Sequence, residues 1–119
     1  MTECLIVGVG GFIGSVCRYL IGLVPLEHSR GFPLKTFFIN IIGAFLIGLV
    51  AALAARNSLH PRLALFLKVG ICGGFTTFSS FALESQQLVG KGAPVAAALY
   101  MVLSLFFGVL AAILGQKVI

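Results

Sequence analysis

The sequence predicts an all-α membrane protein of four transmembrane helices, and three observations carry that prediction. Of 119 residues, 60% are hydrophobic and 9% are charged. Soluble domains carry about 25% charged residues, so this chain lacks the polar groups a wetted surface of its size requires. Apolar runs long enough to cross a hydrocarbon core, which takes ~20 residues, fall at 4–24, about 35–55, about 62–89 and about 94–115. The connections PLEHSRGFP, RNSLHPR and GKGAP are short and rich in turn residues, so residues 1–119 read as a single membrane-embedded unit.

The first run, CLIVGVGGFIGSVCRYLIGLV, contains a GxxGxxG pattern (Gly8, Gly11, Gly14) that superficially resembles a nucleotide-binding turn. Such a turn requires repeated βα units and an acidic ribose partner about 20 residues on. The nearest acid, Glu27, sits in a turn-rich connection instead. Gly10, Gly14 and Arg18 recur every four residues on one helix face, and small residues at that spacing let membrane helices approach closely. The opening glycines are therefore expected to be packing residues. Glu3, Arg18 and the lack of a small-x-small site argue against a cleavable signal.

The second run carries a similar seam, Asn40–Ala44–Gly48–Ala52, and the fourth carries Ala96–Tyr100–Ser104–Gly108–Ala112. The third differs. Its centre, GICGGFTTFSSF (70–81), places adjacent glycines before Thr and Ser interleaved with Phe. Thr76, Thr77, Ser79 and Ser80 can cap or rebond freed backbone groups. A continuous helix tolerates such residues; the reading preferred here is a helix broken near its middle. Irregular backbone at that depth survives only inside protein or against a cavity, so a break marks the functional centre.

Cys4, Cys17 and Cys72 stand singly in apolar runs and read as small, reduced packing residues. His28 and His60 fall in polar connections and read as loop residues. The formal charge of +5 is scattered, which suits anionic headgroups rather than nucleic acid. No nucleophile–base pair or metal-ligand spacing is present, so no enzymatic activity is expected. With both termini on one side, Arg56, Arg62, Lys68 and Lys117 share their face, and Arg18, Arg30, Lys35 and Lys91 fall opposite. Orientation normally follows a Lys/Arg excess. The even division of the eight basic residues predicts insertion both ways and an antiparallel, dual-topology homodimer, although so small a protein could show it by chance.

Four passages together resemble the Fluc (CrcB) family of fluoride channels over nearly the whole chain: GGFIGSVCRY (10–19), NIIGAFLIG (40–48), GICGGFTTFSSF with Glu84, and the Tyr100–Ser104 face of the last run. The chain departs from the family's usual pattern at Ser80, where Thr is common, and at Phe75, where Leu is common. The resemblance implies passive export of fluoride across a bacterial inner or plasma membrane, through a dual-topology dimer with two pores. It further implies a structural sodium ion held by the main-chain carbonyls of Gly73 and Thr76 from both subunits. Asn40 is similar to the family's pore asparagine, and Phe78 and Phe81 to its anion-facing aromatic pair. By the same resemblance Tyr100 falls near the pore wall, Ser79, Ser80 and Ser104 extend a hydroxyl track, Thr77 joins the pore residues, and Arg18 and Glu84 match charged positions.

Physical reasoning bears on the same residues. A pore for a strongly hydrated anion must replace water with donors, which Asn40 and the hydroxyls supply, without a full charge that binds too tightly to release. Aromatic ring edges are positive. Phe78 and Phe81, three apart, share a helix face, with Thr77, Ser80 and Glu84 on the adjoining stripe. Phenylalanines in a membrane mostly serve as plain packing or lipid-facing residues, and on their own these two fit that role better; their flanking by Thr and Ser on the break, with the motif match, reverses the reading. The alternative function is a small multidrug-resistance-type, proton-coupled exporter, which needs an ionisable group deep in the membrane. Glu84, about 15 Å beyond Gly74 at helical rise, is expected near the edge of the core, snorkelling or capping a vestibule.

Overall fold

The computed structural model describes residues 1–25 and 32–119. Glu27, His28 and Arg30 lie outside the described residues. Helix α1 spans Thr2–Gly22, α2 Leu34–Ala55 and α3 Pro61–Leu65. A π-helical stretch, Phe66–Cys72, follows, then α4 (Gly73–Phe75), α5 (Phe78–Gly90) and α6 (Pro94–Lys117). Four helical runs are long and apolar enough to cross a membrane: α1, α2, the composite Pro61–Gly90 and α6. At 1.5 Å per residue the 22 residues of α2 reach about 33 Å, enough for a core of about 30 Å. Each expected run is present, with ends within two residues of those read from hydropathy. The protein is a multi-pass helical membrane protein.

One end of the molecule gathers the termini and the connection before α3. Arg62 lies 3.8 Å from Glu3, and Arg56 Nη2 donates to the Ile119 carbonyl at 2.6 Å. Pro61 opens α3 at a position where a missing N–H costs nothing, and His60 caps it by accepting from the Arg62 N–H at 3.1 Å.

Packing follows the small-residue seams, with corrections. A Cβ on Gly10 would fall 2.7 Å from the Phe66 carbonyl oxygen and 2.9 Å from Gly70 Cα, and one on Gly74 would fall 2.6 Å from the Gly11 oxygen. α1 thus packs backbone to backbone on the first half of the third span. The π-helical register coincides with this closest approach, and no propensity signal in 66–72 announced it. α2 packs chiefly on α6, where Gly48 meets the Ala112 backbone and Gly115 meets that of Phe45. Gly8 and Gly108 have nothing within 4 Å of an added Cβ. Gly8 therefore takes no part in the α1 contact, and the fourth-run seam runs through Ala97, Tyr100, Ala111 and Gly115, all buried, rather than through Gly108. Cys72 is buried, whereas Cys4 and Cys17 lie on the outer surface and do not pack internally as expected.

The third span is broken, as expected, but not at its glycines. Gly73 and Gly74 are helical. Extended backbone begins at Thr76 (φ −83°, ψ 158°) and continues through Thr77 (φ −148°, ψ 117°). The break lets the span change partners: its first half lies against α1, and α5 lies against α6.

Candidate functional site

Two adjacent β-branched threonines occupy the break, and their side chains and those of α2 satisfy the backbone groups it frees. Thr76 Oγ1 donates to the Cys72 carbonyl at 2.9 Å, alongside the Thr76 N–H at 3.1 Å. Thr77 Oγ1 caps α5 by accepting from the Ser80 N–H at 3.1 Å. Asn40, reaching across from α2, brackets Thr77: its Oδ1 accepts from the Thr77 N–H at 2.8 Å, and its Nδ2 donates to the Thr77 carbonyl at 3.1 Å. Each such group left bare in a membrane interior costs several kcal/mol, so one amide removes two large penalties. From α1, Arg18 Nε donates to the Gly74 carbonyl at 3.2 Å.

The carbonyls at the break are consequently unequal. Those of Cys72, Gly74 and Thr77 have donors. The Thr77 N–H, which an unbroken helix would aim at Gly73, is turned to Asn40 instead. Outside the helices' own backbone ladders, no hydrogen bond among the described residues reaches the carbonyls of Gly73 or Thr76. These are the two expected cation ligands, and free carbonyls at a helix C-terminus carry partial negative charge. No cluster of three His, Cys, Asp or Glu exists among the described residues, so the donors that fit a cation here are main-chain oxygens.

Two cavities flank Thr77. The larger, about 400 Å³, is lined by Asn40, Gly43, Ala44, Ile47, Cys72, Thr76, Thr77, Phe78, Phe81, Ser104 and Leu105, with no charged residue among them. Ser104 Oγ is buried and has no hydrogen-bond partner, which leaves a donor available to an occupant. The rings of Phe78 and Phe81 lie 5.9 Å apart and are tilted by 51°. Phe78 is 79% exposed in the single chain. The amino end of α5, whose first N–H groups attract anions, opens beside this space.

The second cavity, about 370 Å³, is lined by Arg18, Tyr19, Gly22, Leu23, Lys35, Thr36, Ile39, Thr77, Ser80 and Glu84. The expected site therefore divides: Asn40, Phe78, Phe81 and Ser104 stand in one cavity, Arg18, Ser80 and Glu84 in the other, and Thr77 in both. The stripe of Thr77, Ser80 and Glu84 read from helical spacing is present in the charged cavity. Tyr100 lines neither. Fully buried at 0% exposure, it stands behind the wall, its ring 5.1 Å from that of Phe81. Its hydroxyl donates to Glu84 Oε1 at 2.9 Å, while Thr36 Oγ1 donates to Glu84 Oε2 at 2.7 Å. Glu84 does not snorkel; both oxygens are engaged inward, because α2 and α6 each present a buried hydroxyl.

Sequence reasoning missed Thr36 and Gly43. Thr36 precedes Asn40 by one helical turn and so shares its face, a signal that was present. Gly43 stands in the quoted passage NIIGAFLIG but one register off the seam.

A membrane-spanning helix broken at Thr76–Thr77, with an uncharged, donor-lined cavity on one side of Thr77 and a charged one on the other, is an arrangement suited to an ion-handling membrane protein. Residues 5–116 match the family model described as CrcB-like protein, Camphor Resistance (CrcB), and the chain belongs to that family. It is 47% identical over 115 residues to the fluoride-specific ion channel FluC of Chlorobium chlorochromatii, covering 96% of this chain and 89% of that one. To the protein of the same name from Gloeothece citriformis it is 43% identical, over 97% of this chain and 94% of that one. For that of Thermus thermophilus the identity is 44%, over 98% and 94%.

Proposed function

We propose that this chain is a subunit of a fluoride-selective channel that releases fluoride passively across the cell membrane, and is not an enzyme. The observation that carries the reading is the larger cavity. It joins an amide at Asn40, the unpartnered Ser104 hydroxyl and the Phe78–Phe81 pair, and it holds no fixed charge. Donors without a full charge replace the hydration of a small anion and still let it leave. The family relationship supports the same ion. The chain works as an antiparallel, dual-topology homodimer with two pores. The free Gly73 and Thr76 carbonyls of each copy meet on the twofold axis and hold a structural sodium ion there. The even Lys/Arg count and the exposed Phe78, which a second copy would cover, support that arrangement. The exporter alternative gains nothing from the geometry, since the acid it needs, Glu84, has both oxygens hydrogen-bonded.

The test is anion efflux from liposomes containing the purified protein. Rapid loss of fluoride without loss of chloride is expected; equal rates for the two anions, or fluoride efflux that needs a proton gradient, would overturn the reading. Reporters fused at the C-terminus should find both orientations at comparable levels, and a single orientation would remove the antiparallel dimer.

A further inference from the structure

Gly43 differs from every other close-packed glycine among the described residues. An added Cβ at Gly10, Gly14, Gly48, Gly70, Gly74 or Gly115 would strike backbone. At Gly43 it would strike the Thr76 side-chain methyl, Cγ2, with the Phe75 ring next at 3.4 Å. Thr76 cannot turn that methyl aside freely, because its Oγ1 is held to the Cys72 carbonyl at 2.9 Å. One turn toward the N-terminus on the same helix, Asn40 brackets Thr77 through contacts of 2.8 and 3.1 Å. Gly43, Thr76, Asn40 and Thr77 all line the larger cavity. The depth at which the break beds against α2 is therefore set where a bare glycine meets a methyl.

We propose that Gly43 and the Thr76 methyl form a steric pair that places the break at the distance from which Asn40 can bracket Thr77, making Gly43 a positioning residue for anion passage. This rests on the fluoride-channel reading for its transport readout, and on nothing beyond the geometry for its steric one. A methyl at residue 43 pushes the break from α2 and lengthens both bracketing hydrogen bonds together. The donor that Asn40 presents to the cavity moves with them.

A double-substitution cycle tests the pair, using Gly43→Ala, Thr76→Ser and their combination. Thr76→Ser removes Cγ2 but keeps the hydroxyl bonded to Cys72 and the main-chain carbonyl. Alanine favours helix over glycine, so Gly43→Ala is neutral or stabilising once the methyl is gone. Fluoride efflux from liposomes should fall about tenfold, a barrier change of about 1.4 kcal/mol, on Gly43→Ala in the Thr76 background. In the Thr76→Ser background the same change should cost less than about twofold, well under 1 kcal/mol. Thermal midpoints of the four purified proteins should show the same rescue without reference to transport. Equal effects of Gly43→Ala in the two backgrounds, in efflux or in midpoint, overturn the pair. So does a combined variant that neither assembles nor conducts. If Gly43→Ala alone fails to assemble and the combination assembles, the pair stands. Wild-type liposomes that retain fluoride defeat the channel reading instead, and the midpoints then judge the pair.

Discussion

The first half of the third span, Pro61–Phe75, meets α1 through main chain, whereas α5 meets α2 and α6 through side chains. At the first contact, Gly10 faces Gly70 and Gly74 faces Gly11, at separations no Cβ could share. At the second, Glu84 takes hydrogen bonds from Thr36 and Tyr100, and Phe81 packs on Tyr100. Lipid tails are as apolar as leucine, so no hydrophobic drive brings these helices together; close packing and interhelical hydrogen bonds must do it. The first half relies chiefly on close packing, with Arg18 of α1 also donating to the Gly74 carbonyl, and the second relies on hydrogen bonds. Added bulk should therefore damage the first half, and lost functional groups the second.

The largest effect is expected from bulk on α1. Gly14→Ala places a methyl against the Ile71 carbonyl and 2.8 Å from the Phe75 nitrogen, where only main chain can yield. The variant should lose its monodisperse chromatographic peak, while Gly8→Ala, with open space around it, should match wild type. If both behave alike, the close-packed half has been misread.

A smaller loss, confined to transport, is expected at the larger cavity. Phe78→Ile and Phe81→Ile keep bulk but remove a ring quadrupole contact worth about 1 kcal/mol. Each should slow fluoride efflux several-fold, since about 1.36 kcal/mol is tenfold in rate. Asn40→Asp should act more strongly: it withdraws the donor to the Thr77 carbonyl and sets a negative charge in the anion's path. Efflux at the wild-type rate from chromatographically intact variants would take these residues out of the pathway.

The smallest effects belong to the carboxylate clamp. Tyr100→Phe and Thr36→Val each delete one hydroxyl donor to Glu84 at nearly constant volume, a loss of about 1 kcal/mol. Each should lower the thermal midpoint modestly, and the pair together should lower it by more than the two separate losses, because the carboxylate then keeps neither partner. Strict additivity would mean that Glu84 finds another donor and that the clamp is not what holds α5.

Much of this was legible in order along the chain. Hydropathy alone determined four spans, because a bilayer core demands continuous apolar length whatever the helices pack against. The four-residue recurrence of Gly10 and Gly14 announced a close helix contact, since one face is all that spacing needs. The run of Thr and Ser after paired glycines announced a break, because those side chains can satisfy backbone that leaves a helix. What the sequence could not place was anything decided by two elements at once. Thr76 and Thr77, not the glycines, became extended because Asn40 stands within reach to take both main-chain groups of Thr77. Gly74 stayed helical against α1, where close packing needs it bare, while Gly73 stayed helical with room for a Cβ, its nearest neighbour the Lys68 oxygen at 3.9 Å. Arg18 and Glu84 parted from Asn40 and Ser104 because the break rotates the two halves of one span toward different neighbours, a displacement invisible to spacing along a single helix. Glu84 turned inward because α2 and α6, 64 positions apart at Thr36 and Tyr100, each bring a buried hydroxyl to the same carboxylate.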